Sequence, residues 1–286
     1  MINTLLLAVK GVNSTITLFE RIVFALQKTA ERPSGYGWFH LLFFFLVVAV
    51  TVILCVFFRK ISEKKFKTVI FIFWIVMVLF EVYKQIVYSF SVDGAVWDYQ
   101  WYSFPFQFCS TPLYLLPFLI FLKDGKVKDG VILFICTFSL FAGVAVYFYP
   151  GDVFATDLLG VQIQTMIHHG SQIIIGVYTA VYYKDKINVK TFLYSLPVFS
   201  VMVLSALILN LIMHSVTTET FNMFFISPYF DCTLPVLGSV RGIVPYVVFL
   251  LVYVFGFALC AFIMYLLVKG GIELVKKVAE KTGNNL

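Results

Sequence analysis

The sequence predicts an all-α polytopic membrane protein of seven transmembrane helices, led by an N-terminal amphipathic interfacial segment. Three observations carry that expectation. The first is composition: of 286 residues 61% are hydrophobic and only 13% charged. A water-soluble domain is about 45–50% apolar and about 25% charged, so no soluble fold hides this much apolar surface. The second is segmentation. The apolar residues fall into runs near the roughly 20 residues a helix needs to cross hydrocarbon. The third is charge placement, because basic residues crowd into alternate loops. The net charge of +6 therefore reports orientation, and no nucleic-acid partner is expected.

Residues 1–36 form the first unit. Leu5, Leu6, Leu7, Ile16, Leu18, Phe19, Ile22 and Val23 are interrupted by Lys10, Glu20, Arg21 and Lys28. That mixture suits a helix lying in the interface better than one crossing it. No basic region precedes Leu5-Leu6-Leu7, so a signal peptide is not expected. Glu31-Arg32-Pro33-Ser34-Gly35 ends the unit, since proline and glycine punctuate helices. The membrane domain follows over residues 37–268. Its expected spans are Trp38–Phe58, Lys67–Phe90, Phe104–Leu122, Gly130–Tyr149, Ile163–Tyr183, Phe192–Met213 and Ile243–Val268. The long loop 214–242 holds Ser227-Pro228 and Leu234-Pro235 and is read as dipping partly into the membrane. Residues 269–286 form a basic tail.

Orientation comes from counting. The loops after spans one, three and five, with the tail, hold fifteen of the twenty-one Lys and Arg residues. The opposite side holds five, and its loops carry Asp93, Asp98, Asp152, Asp157, Glu219 and Asp231. The positive-inside bias then places the C-terminus in the cytoplasm, the N-terminus outside and the chain in the cell (plasma) membrane.

With orientation assigned, depth follows. Glu81, Lys84 and Gln85 lie on one face in the outer half of span two. Glu81 and Lys84 can pair, which is how intramembrane charges survive. Gln107 and Cys109 lie near the outer end of span three. On span five Gln162, Gln164, Thr165, His168, His169, Ser171 and Gln172 share half the helix at about 100° per residue, with Ile163, Met166, Ile167, Ile173 and Ile174 opposite. His168 is then about 8–10 Å below the outer end. Asn210 and His214 end span six. Polar groups thus collect in the outer halves, while the inner halves are almost purely apolar. A route through the whole membrane would place polar groups at every depth; a site facing the outer leaflet would not.

The chemistry these residues support is acyl transfer on a lipid ester. A cysteine needs a base, and histidine is the usual one. Cys109 as nucleophile, His168 or His169 as base and Glu81, Asn210 or His214 as orienting group supply the parts. Ser110 and Thr111 are alternative nucleophiles in the same turn. Pro105 and Pro112 are read as kinking the helix beside Cys109. Taken singly each residue has a plainer account: a lone cysteine is commonly a small hydrophobe, as Cys55, Cys136 and Cys260 are expected to be, and Gln and Asn often glue helices together. A carrier using Glu81, Lys84 and His168/His169 as a relay and a non-catalytic ligand-binding sensor are the rival functions. No metal is expected, because adjacent histidines diverge by about 100°, and the five cysteines lack any CxxC pair. No cofactor is expected, and the expected partner is a membrane lipid.

Three stretches carry a resemblance: Phe104-Pro-Phe-Gln-Phe-Cys109-Ser-Thr-Pro112-Leu-Tyr-Leu-Leu-Pro117, Tyr149-Pro-Gly-Asp-Val-Phe154 and Val161-Gln-Ile-Gln-Thr-Met-Ile-His168-His169-Gly170. Together they resemble the YwaF-like bacterial integral membrane proteins, which are similar in turn to the eukaryotic transmembrane protein 164 family. The resemblance spans roughly residues 38–268. It implies a seven-helix fold and, from the eukaryotic relatives, a lipid acyltransferase with a membrane-embedded cysteine and histidine. The cysteine corresponds to Cys109 and the histidine to His168 or His169, with His168 the more central on the polar face. Related lipid hydrolases with a threonine nucleophile keep Thr111 in view. Gln85, Gln107, Gln164, Gln172, Asn210 and His214, with Glu81 and Lys84, complete the expected site as substrate-binding or supporting groups.

Overall fold

The structure, a computed structural model, describes residues 17–91 and 96–281. The expected amphipathic stretch ahead of residue 17 and the last five residues of the basic tail lie outside the described residues.

Helix α1 (Leu18–Leu26) starts at a capping box. The Thr17 hydroxyl accepts from Glu20 N at 3.2 Å, and the Glu20 carboxylate accepts from Thr17 N at 2.8 Å, so two otherwise orphaned donors are satisfied reciprocally. Val23 packs inward beside Phe90, while Leu18, Phe19, Ile22 and Leu26 stay exposed. The segment after it is docked by backbone bonds: Ala30 N donates to Asp157 O at 2.8 Å and Leu159 N to Lys28 O at 2.9 Å.

Next come α2 (Trp38–Phe57) and α3 (Glu63–Ser89), then a two-stranded antiparallel hairpin of β1 (Phe90–Ser91) and β2 (Val96–Trp97). After them lie α4 (Thr111–Phe121), α5 (Lys126–Phe134), a π turn (Ile135–Ser139) and α6 (Leu140–Phe148). The chain ends in α7 (Leu159–Tyr182), α8 (Val189–His214), the short α9 (Leu237–Ile243) and α10 (Tyr246–Lys281). Among the described residues five helical segments are long and apolar enough to cross a membrane: Trp38–Phe57, Glu63–Ser89, Lys126–Phe148, Val189–His214 and Tyr246–Val278. They match five of the seven expected spans. Helix α10 runs unbroken to Lys281, so the first part of the expected basic tail is helical.

The other two expected spans differ for physical reasons. The stretch expected to be helical from Phe104 becomes α-helix only at Thr111. Residues 104–107 are irregular and 108–110 form a single 3-10 turn. Pro112 therefore does not kink a helix. It sits in the first turn of α4, where a missing N–H breaks no helical bond. Pro117 is the proline inside α4. A proline there leaves the carbonyl four residues earlier without its helical donor, and Trp74 Nε1 fills that gap by donating to Leu113 O at 2.9 Å.

Helix α7 has the length to cross but carries the polar residues. It packs against α2, α3, α6 and the π turn, so protein covers most of it. Met166, on the side expected to be apolar, is fully buried, as Ile174 and Ile175 nearly are. Glycines permit the tight fit. A Cβ on Gly143 would stand 2.7 Å from His169 O, and one on Gly176 would stand 2.9 Å from Leu140 Cβ. Close backbone approach through small residues is how helices associate where lipid gives no hydrophobic drive.

The loop between α8 and α9 is part of the core. Phe221, Met223, Phe224 and Ile226 are at most 1% exposed. Phe224 and Phe225 both adopt positive φ, 58° and 57°, an uncommon backbone region for bulky residues. The surrounding contacts must hold that strain.

Candidate active site

A cavity of about 580 Å³ lies between α3, the 101–110 stretch, α7 and the loops at 153–156 and 220–233. Its size falls within the usual range for small-molecule sites, roughly 300–1,000 Å³. Of the expected site residues, Glu81, Lys84, Gln107, Cys109, Gln164, His168 and His169 all line it. Three elements far apart in sequence thus bring the expected groups to one place. Ser110, an alternative nucleophile, lines it as well.

The acidic and basic pair comes from one turn of α3. Lys84 Nζ stands 2.8 Å from Glu81 Oε1, with the side chains 17% and 7% exposed. Gln85 supports it from behind. Its Nε2 donates to Glu81 Oε1 at 2.7 Å and to Ser103 O at 2.7 Å, and its Oε1 accepts from Tyr99 OH at 2.7 Å. A buried ion pair survives where further hydrogen bonds satisfy the remaining lone pairs, and Gln85 supplies one. Gln85 itself does not line the cavity.

Cys109 lies in the 3-10 turn just before α4, not inside a helix. Its carbonyl accepts two hydrogen bonds from one face of α7: His168 Nε2 at 2.9 Å and Gln172 Nε2 at 2.9 Å. Gln172 follows His168 by one turn, so the two donors stack along the helix and lock the cysteine turn to α7. This assigns a tautomer. A carbonyl only accepts, so the His168 proton is on Nε2 and the lone pair on Nδ1. That Nδ1 is buried without a partner. His169 has the opposite tautomer: Nδ1–H donates to Thr165 O on its own helix at 2.8 Å, leaving the lone pair on Nε2. Both ring bonds go to backbone carbonyls and neither to the Cys109 sulfur.

The remaining expected residues stand elsewhere. Thr111 is 1% exposed, outside the cavity wall, and its hydroxyl donates to Phe108 O at 2.8 Å. Asn210 brackets one loop residue, with Met223 N donating to its Oδ1 at 2.7 Å and its Nδ2 donating to Met223 O at 2.9 Å. Gln107 does the same one register along, between Phe224 N and Asn222 O at 2.9 and 3.0 Å. These two amides hold the left-handed stretch at Phe224 and Phe225. His214 does not reach the cavity; its ring stacks on Tyr229 with centroids 3.5 Å apart. Among the described residues no group of three or more His, Cys, Asp or Glu is arranged to hold a metal ion.

The wall also includes Tyr88, one turn further along the polar face of α3 that the spacing marks, and residues the sequence does not single out for the site: Tyr102, Ser103, Thr156, Asn222 and Asp231. Apart from Tyr88 they come from loops, where no periodicity marks a face.

Residues 35–268 match the model of the TMEM164 family. The chain belongs to the TMEM164 family. The matched stretch takes in every residue of the cavity wall, four of the five apolar helices and most of the fifth, and with them makes this an integral membrane protein. No curated protein and no solved structure matches the chain significantly.

Proposed function

We propose that this protein transfers an acyl group between membrane lipids through Cys109, with His168 as the base. The observation that carries the reading is the junction of Cys109 with α7 inside a polar cavity. The cysteine turn is fastened to the ring of His168, whose other nitrogen is a buried lone pair without a partner. A buried polar atom left unsatisfied in a native fold calls for an explanation, and catalysis is one.

The step balances as follows. The His168 ring, held by Nε2 to the Cys109 carbonyl, first turns so that its lone-pair nitrogen Nδ1 faces Cys109 Sγ. Nδ1 then takes the Sγ–H proton, and the thiolate attacks the ester carbonyl of a lipid. A thioester forms on Sγ, and the departing lysolipid alkoxide takes the proton back from Nδ1. A second lipid hydroxyl, or water in a hydrolase, then attacks the thioester and restores the thiol. In a ligand-free site such hydrogen bonds are often long and tighten with substrate. Anionic sulfur at this place faces the N-terminal end of α4, where the helix dipole is positive, and Lys84 on the same wall. Glu81 and Gln85 keep Lys84 in position.

Seven crossings, with the 104–122 stretch that ends in α4 and the polar α7 as the two beyond the five apolar helices, belong to this reading. So do an N-terminus outside, a cytoplasmic C-terminus, a plasma-membrane location and α1 lying in the interface on its exposed Leu18, Phe19, Ile22 and Leu26. The cavity then opens in the outer half of the bilayer, where a lipid ester can enter.

The test is lipid turnover by the purified chain in liposomes carrying a labelled acyl chain. Wild type is expected to move label to a lysolipid acceptor, and Cys109→Ala to fold and insert but not to do so. Turnover preserved in Cys109→Ala defeats the proposal. Proton-coupled flux lost in Glu81→Gln, with no acyl transfer in wild type, favours a carrier instead.

A further inference from the structure

At the opposite end of the bundle, a second hollow of about 560 Å³ lies between α6, α7 and α10. Its floor is aliphatic, with Leu140 and Val144 from α6, Ile173 and Val177 from α7, and Leu267 and Ile272 from α10. The four-residue spacing within α6 and α7 puts each pair on one face. Along α10 the lining runs from Met264 to Lys276, roughly 18 Å at about 1.5 Å per residue. That is close to the depth of one leaflet, about half of the roughly 30 Å hydrocarbon core.

The rim of this trough is cationic. Arg59 comes from the turn after α2, Lys184 from the turn after α7 and Lys276 from α10, and Lys60 also lines it. No Asp or Glu lines it. Several carboxylates at the same end are committed elsewhere: Glu63 to Lys67 and Lys128, Asp129 to Lys186, Asp124 to Lys128 and Lys186, and Glu273 to Lys269. Asp185 and Glu280 are exposed and outside the groove lining. Positive-inside bias alone scatters cations over loops. It does not require three elements to set them around the end of an apolar trough.

We infer that this groove binds one anionic glycerophospholipid from the leaflet on the basic side of the bundle. Its acyl chain lies along α6, α7 and α10, and its phosphate sits among Arg59, Lys184 and Lys276. Basic pockets between membrane helices are suited to lipid phosphates. The site is separate from the cavity at Cys109 and does not depend on acyl transfer. Gly271 offers a way to close it without touching the charges. It lines the groove, and a Cβ built there meets nothing within 4 Å, so a larger side chain projects into the trough.

The experiment is native mass spectrometry of the full chain released from micelles holding equal amounts of dioleoyl phosphatidylglycerol and dioleoyl phosphatidylcholine. Wild type is expected to retain one phosphatidylglycerol in preference. Arg59→Gln, Lys184→Gln and Lys276→Gln are expected to cut that preference by about fivefold each, and Gly271→Phe to remove the bound lipid altogether. Equal retention of both lipids by wild type, or a preference unchanged in the triple charge variant, overturns the inference. Displacement by millimolar inorganic phosphate makes it a soluble-anion site and overturns it too. A dimer carrying no lipid and lost in Gly271→Phe would make the groove an interface between copies. Cys109→Ala is expected to keep the lipid, which separates this result from the fate of the acyl-transfer proposal.

Discussion

The two halves of α7 meet opposite surroundings within a single helical step. Gln172 donates to the Cys109 carbonyl and belongs to the cavity side. Ile173, the next residue, floors the aliphatic groove. Above the step, protein must wall every surface, because polar side chains facing hydrocarbon would be left unsatisfied. The clamps from Gln107, Gln172 and Asn210, and the buried loop at Phe221–Ile226, exist on that side for this reason. Below the step the Tyr178 hydroxyl donates to Phe58 O at 3.0 Å, and lipid is an adequate neighbour for isoleucine and valine. The comparison teaches that buried polarity here is an expense in architecture, met with side-chain amides that bond backbone rather than substrate.

Removing the nucleophile is the strongest way to break the polar half alone. Cys109→Ala is expected to lower lipid acyl transfer by about a thousandfold or more, measured with labelled lipid in liposomes, with thermal stability unchanged within about 1 kcal/mol. His168→Asn is expected to cost about 10²–10⁴ in rate, and His169→Asn less, since the His169 ring bonds only its own helix. A larger loss in His169→Asn would move the base to His169 Nε2 in the same assay.

Stability measurements sharpen the contrast. Glu81→Met strands the Lys84 ammonium and is expected to cost about 3–5 kcal/mol, read as a drop in thermal unfolding midpoint. Asn210→Ala orphans the buried Met223 N–H, while Met223 O keeps the bond from Ile226 N, and is expected to cost about 1–3 kcal/mol. Both should exceed Leu204→Ala on the exposed face of α8, which removes contacts that lipid replaces.

The smallest effect belongs to the basic end. The Asp124 carboxyl is held below its ordinary range, first by its hydrogen bond with Lys128 and then by the charges of Lys128 and Lys186. A carboxyl so depressed contributes stability above its unfolded-state value and loses it as pH falls through the folded one. Asp124 is largely exposed, so Asp124→Asn is expected to cost about 0.5 kcal/mol or less at neutral pH. The difference between wild type and variant should vanish in acid, by thermal unfolding at several pH values.

Much of the fold was legible because it is local. Helices α2, α3, α8 and α10 and the α5–α6 segment follow from apolar run length, with ends displaced by a few residues except at α10, which runs on past the expected end at Val268 to Lys281. The late start of α4 was not legible: Phe104, Phe106 and Phe108 read as span, yet they pack with the loop residues Phe221 and Phe224, a contact no local pattern announces. In the candidate site, Glu81, Lys84, Cys109, His168 and His169 were legible as rare polar groups in apolar surroundings. Gln107 and Asn210 were equally visible, but their use as backbone clamps was not, because an amide reads alike whether its partner is a ligand or a peptide bond. Tyr102, Ser103, Thr156 and Asp231 gave no signal, since polar loop residues are expected everywhere.

By itself the sequence determined that this chain is an integral membrane protein, which stretches are apolar helices and where the buried charge must pair. Those follow from transfer energies and helical spacing, which act residue by residue. Tertiary structure alone decided that the cysteine turn is unwound, that His168 binds its carbonyl and that the α8–α9 loop closes the cavity. These depend on which backbone groups are left unpaired after the helices pack, and that is settled only when distant segments meet.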